Sequence, residues 1–140
     1  MGTPSNEQSS ITPESPRAFI NRELSWLQFA RRVLQLAQDR ELPLLERVKF
    51  AGILGMLHDE FFMKRMSGLK RQIRNGVQKL SLDGITPREE YDACRAEILA
   101  QCEELAKVVE DEIRPALAKH GVGIRDYADL AAAHPADRGI

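Results

Sequence analysis

Apolar residues return at intervals of three and four along most of this chain, and strict apolar–polar alternation is almost absent. That period lines one face of a helix rather than one face of a strand. Trp26, Phe29, Ala30, Val33, Leu34 and Ala37 follow it, which predicts a first helix over Ser25–Gln38. Ser25 and Gln28 stand at capping-box spacing, where each side chain satisfies the other residue's backbone amide. Arg40–Pro43 makes a turn, and Pro43 suits the first position of the next helix because its missing N–H is not needed there.

The second helix is predicted over Leu44–Leu57. It begins amphipathic and becomes apolar on every side, a pattern expected of a segment buried all round. Gly52 and Gly55 would let another helix approach it closely. His58 and Asp59 read as a break, followed by a third helix over Asp59–Asn75 that ends at Gly76 as a left-handed cap. Phe62, Met66, Leu69, Ile73 and Val77 line its apolar face. The clearest start is Thr86-Pro87-Arg88-Glu89, a capping box with proline at the first helical position. The fourth helix reaches His120, with a stripe of Tyr91, Cys94, Ile98, Cys102, Leu105, Val109 and Ile113, and Pro115 should kink it or end it early. Residues 122–130 read as a short extended piece. The expected fold is all-α, an antiparallel helical bundle of about four helices over 19–130. A disordered, Ser- and Pro-rich tail over 1–18 precedes it, and a linker or the start of a following domain over 131–140 comes after it.

Composition narrows the function classes. The chain has 140 residues, 43% apolar and 29% charged, with a formal net charge of −1. Such a balance gives no bulk attraction to nucleic acid or membrane. No apolar run approaches the twenty or so residues that span a bilayer, and the first residues lack the apolar stretch of a secretory signal. The two cysteines, Cys94 and Cys102, suggest neither a disulfide framework nor a zinc site, and both are expected to be buried small hydrophobes. A cytoplasmic location is the default expectation.

The charge is nevertheless sorted. Phe61–Leu82 holds six Lys and Arg and no acidic residue. On a helical wheel Lys64, Lys70, Arg71 and Arg74 gather beside the apolar stripe, with Arg65 on its other flank. Two readings stay open. The nine acidic residues of Arg88–Glu112, against three basic ones, could offset this face from within the protein. Alternatively the face meets a phosphate-rich partner, whose counterions are released on contact. No phosphate loop, Cys–His pair or Ser–His–Asp order is present. His58 reads as a helix-junction residue, and His120 and His134 as surface residues.

The runs Asn21-Arg22-Glu23-Leu24-Ser25-Trp26-Leu27-Gln28-Phe29 and Arg32-Val33-Leu34 resemble the opening signature of the polyphosphate kinase family, the type that autophosphorylates on histidine. Pro43-Leu44-Leu45-Glu46-Arg47-Val48-Lys49-Phe50, Asp59-Glu60-Phe61-Phe62-Met63-Lys64-Arg65 and Gly68-Leu69-Lys70 continue the match in order. The resemblance implies the N-terminal helical domain of an enzyme that moves phosphate between ATP and polyphosphate. It also implies that the phosphorylated histidine and the metal ligands belong to later domains absent from this chain, which alone should be inactive.

In the family pattern an Asn two residues before the Asp of Asp-Glu-Phe lies at the adenine end of ATP, and the ungapped equivalent is Leu57. Leucine offers no donor or acceptor, so it can pack on a purine but cannot read its edge. His58, next to it, is the candidate substitute. Lys64, Lys70, Arg71 and Arg74 are the candidate polyanion contacts. Expected partners are the remaining domains of a polyphosphate kinase or an intact kinase in trans, polyphosphate itself, and a second copy of the chain. Nucleic acid is disfavoured for want of a recognised motif. The alternative reading is a free-standing, non-catalytic interaction module that uses the basic third helix.

Overall fold

The computed structural model describes residues 20–129, so the predicted tail over 1–18 and linker over 131–140, His134 included, lie outside the described residues. The fold is all-α, as the periodicity predicts. Helix α1 spans Arg22–Gln38, α2 Leu44–Phe61, α3 Ser67–Arg74, α4 Pro87–Val108 and α5 Arg114–Lys119. Two π-helical turns, Phe62–Met66 and Val109–Ile113, join α2 to α3 and α4 to α5 end to end. The second and third helices are therefore not separated by a break at His58–Asp59. The bundle is built from α1 and two long antiparallel rods.

Local chemistry sets the ends. Thr86 and Glu89 form the capping box, with Thr86 N donating to Glu89 Oε2 at 2.8 Å and Pro87 at the first position. Gly76 has φ of 69° and Gly121 76°, conformations that favour glycine, and each closes its rod as expected. The α1 cap differs from expectation. It is Asn21 rather than Ser25, with Asn21 Oδ1 accepting from Leu24 N at 2.9 Å. The Asn21 amide also donates to Asp83 and Glu90, so contacts distant in sequence begin the helix three residues early.

The π turns reset the apolar register. Each adds one residue to a turn, so the inward sequence runs Phe61, Met66, Leu69 instead of Phe62, Met66, Leu69. Phe61 is 2% exposed, whereas Phe62 is 43% exposed. On the other rod Cys94, Ile98, Gln101, Val108, Ile113 and Leu117 face inward, while Cys102 lies at the surface. The expectation of two buried thiols is thus half wrong. Pro115 does not end the rod early, because the wide turn before it accommodates a residue with no N–H to donate. Beyond Gly121 the predicted extended piece is irregular over 122–126, pinned where Arg114 Nη2 donates to Ile124 O at 2.9 Å, and it turns helical over 127–129.

Two apolar clusters make up the core. Leu27, Phe61, Met66, Leu69, Cys94 and Ile98 form one, and Ala30, Val33, Leu34 and Leu54 the other. Trp26 packs against both, stacked on Phe61 with ring centroids 5.0 Å apart. The apolar half of α2 is not buried all round. Met56 is 73% exposed, and a methyl group placed on Gly52 or Gly55 would meet no atom within 4 Å. The other helices cover only part of α2, so its outward face is greasy and open.

Candidate functional site

Three surface features hold the predicted site residues other than His58. The first is a hollow of about 260 Å³ lined by Trp26, Leu57, Glu60, Phe61, Lys64 and Arg65. Leu57, half-buried, packs inward on the second core cluster and outward on this hollow. Its rim is charged but internally balanced. Lys64 Nζ lies 2.7 Å from Glu60 Oε1 and Arg65 Nη1 lies 3.5 Å from Glu23 Oε1. The lysine holds the Glu60 carboxyl below its ordinary range.

His58 lies beneath this hollow, 5% exposed, on the side facing α4. Its Nε2 is 2.9 Å from Gln101 Oε1 and its Nδ1 3.6 Å from Cys102 Sγ. Gln101 Nε2 donates to Leu27 O and Glu97 Oε1, both at 2.8 Å, so its oxygen is the atom left to accept. The imidazole therefore carries its proton on Nε2, and the thiol can donate to Nδ1. Both ring nitrogens are engaged inside the bundle, and the ring does not line the hollow that Leu57 lines. This polar chain continues to Arg31, which donates to Glu97 at 2.7 Å and Glu104 at 2.9 Å. Burial pushes Glu97 up, but its bonds from Arg31 and Gln101 outweigh it and hold the carboxyl below its ordinary range. Sequence periodicity missed Gln101 because it marked the adjacent Cys102 as the inward position.

The second feature is a larger concavity of about 640 Å³ between α3 and the 75–86 connection, with Lys64, Arg65, Lys79 and Glu90 on its walls. Burial raises the Glu90 carboxyl above its ordinary range, although Asn21 donates to it. The third is a groove of about 540 Å³ between α3 and the start of α4, lined by Ser67, Lys70, Arg71, Ile73, Arg74, Arg88 and Tyr91. Three of the four predicted cations thus come together. Lys64 does not join them, because the π turn swings it towards the other two concavities. Arg88 completes the set from a different element, which no reading of α3 alone could reveal.

Among the described residues one acid of α4, Asp92, pairs with a groove cation, Arg88, at 3.4 Å. Glu97 and Glu104 pair with Arg31, and Glu112 pairs with Arg40 and Arg47, so they tie the rod to α1 and α2. No ion pair among the described residues uses Lys70, Arg71 or Arg74. Among those residues there is also no cluster of three side chains able to hold a metal, and no helix long and apolar enough to cross a membrane.

The described residues thus form a small helical domain with an aromatic-floored hollow, a separate cationic groove and an uncovered apolar helix face. Residues 19–125 match the polyphosphate kinase N-terminal domain, and the chain belongs to that family. It is 45% identical over 117 residues to polyphosphate kinase 1 of Chlorobaculum tepidum and 41% identical over 128 residues to the polyphosphate kinase of Mycobacterium marinum. These alignments cover 82% and 91% of this chain but only 17% of either relative. No solved structure matches it.

Proposed function

We propose that this chain is the nucleotide-side domain of a polyphosphate kinase, forming one wall of an ATP site and docking the domains that carry out phosphate transfer between ATP and polyphosphate. The hollow at Leu57 carries the reading. Trp26, Leu57 and Phe61 give it an apolar floor suited to a purine face, and Lys64 and Arg65 put cations on its rim. The residues fit a base held by packing, with phosphates displacing Glu60 from the exposed Lys64–Glu60 pair at the rim. They do not supply a side chain that reads the adenine edge, since His58 is committed to Gln101 and Cys102. Phosphoryl transfer needs in-line positioning and charge neutralisation around the transferred group. This domain's part is to bind and orient, not to perform that step.

Calorimetric titration with ATP tests the assignment. Leu57→Asn should strengthen binding by roughly three- to tenfold, the effect of about one net hydrogen bond to the base, with GTP unimproved. Equal gains for both nucleotides, or none for either, would place the purine elsewhere. The exposed face of α2, with Leu45 at 72% and Met56 at 73% exposure, supports the docking role.

A further inference from the structure

We propose that the groove between α3 and the start of α4 binds a linear polyphosphate chain through Lys70, Arg71, Arg74 and Arg88. The identity of the ligand rests on the reading of this chain as a polyphosphate kinase domain; the site itself rests on geometry. Arg74 lies four residues after Lys70 and three after Arg71, so its side chain neighbours both on the surface of α3. All three are exposed, and none is used in an ion pair among the described residues. Arg88 faces them from the first turn of α4. A protein of net charge −1 has thereby brought four cations to one groove, while Glu97, Glu104 and Glu112 of the facing rod pair with arginines of other elements.

The chemistry favours phosphate in particular. Guanidinium groups present parallel donors that match two oxygens of a phosphate, and Lys70 adds a mobile point charge. The one carboxylate paired at the rim is Asp92, 3.4 Å from Arg88, with both side chains more than half exposed. An exposed pair of that kind contributes little and yields readily to a stronger anion. The shape argues against nucleic acid. Tyr91 is the only aromatic residue in the groove and packs against the core, leaving no platform on which bases could stack.

The site lies apart from the Leu57 hollow, with which it shares no lining residue. A nucleotide held at one and a polyphosphate held at the other would therefore bind independently.

The test is a titration of the protein with size-selected polyphosphate, tripolyphosphate and duplex DNA of matched charge, each at about 50 and about 200 mM salt. Four phosphate contacts predict that polyphosphate binding weakens by about 50-fold across that range. Lys70→Glu/Arg71→Glu/Arg74→Glu should abolish it, and Arg71→Gln/Arg74→Gln, gentler on the fold, should weaken it at least about tenfold. A triple reversal of the same net charge at Arg32, Lys107 and Lys119, all exposed and none of them lining the groove, should weaken it far less. ATP titration of the same variants separates the two proposals, since loss of polyphosphate binding with nucleotide binding unchanged supports the groove alone. Equal loss in both triple variants, DNA binding as tight as polyphosphate binding, or no salt-sensitive binding would each overturn it.

Discussion

Glu112 shows how much one side chain can organise. Arg40 and then Arg47 donate to its carboxylate, and together they push the group down to about 2 from an ordinary 4.5. Arg47 is 7% exposed and also donates to Ala37 O at 2.9 Å, so the chain turn after α1 is tied through this arginine to the far end of α4. Glu112→Gln would leave a buried guanidinium without its counter-charge, a change that typically costs about 2–4 kcal/mol. The sign of the pH dependence follows. A carboxyl lowered in the folded state adds stability that is complete above its unfolded value and is lost as pH falls from about 4.5 towards about 2. Glu90, raised by burial, acts in the opposite sense. Urea denaturation at several pH values should show the Glu112→Gln protein less stable at neutral pH, with the gap closing as acid is added. A gap that stayed constant to pH 2 would mean that the Arg47 contact does not depend on the charge.

Helix ends are often written in a few adjacent residues, and three of them were legible here, whereas the α1 cap at Asn21 depends on contacts distant in sequence. Thr86 with Glu89, Gly76 and Gly121 all do what their local chemistry dictates. The π turns were not legible, because they follow from how a whole rod packs rather than from any short motif. At Phe62–Met66 the Ser67 hydroxyl donates to Met63 O, and at Val109–Ile113 the following Pro115 has no amide to continue the ladder. A 3.6-residue period carried straight through each turn picks the wrong inward residue, Phe62 for Phe61 and Cys102 for Gln101. The same error put Lys64 with the groove cations, although the trio that follows the turn was grouped correctly. Thiol labelling reads this register directly. Burial raises Cys94 to about 12 and places it inside, whereas Cys102 is raised but reaches the surface. Native protein at mildly alkaline pH should take up one equivalent of a maleimide, at Cys102, and Cys102→Ser should take up almost none. Modification of both residues at similar rates would contradict the register on α4.

At the scale of the whole molecule, the uncovered face of α2 bears most directly on what this domain is for. Leu45 and Met56 lie on one side of the helix, with Gly52 between them, and Met63 stands 71% exposed just beyond its end. Solvent-exposed apolar side chains of this size in one row contribute nothing to the bundle's own core, and a partner that covers them gains about 25 cal/mol for each Å² removed from water. The relatives are roughly six times longer than the part this chain matches, so in them a comparable domain has large neighbours to meet. Leu45→Gln/Met56→Gln should leave the melting temperature of the isolated chain nearly unchanged, since surface substitutions usually shift stability by no more than about 0.5 kcal/mol. The functional consequence would appear only in a larger protein. When this chain replaces the corresponding part of the Chlorobaculum tepidum enzyme, the unsubstituted chimera should be active, and the substituted one should lose activity while its N-terminal domain remains folded by circular dichroism. Full activity in the substituted chimera would leave the apolar face without a docking role. Loss that excess ATP restored would instead locate the defect in the nucleotide wall, because a loosened domain interface is not repaired by more substrate.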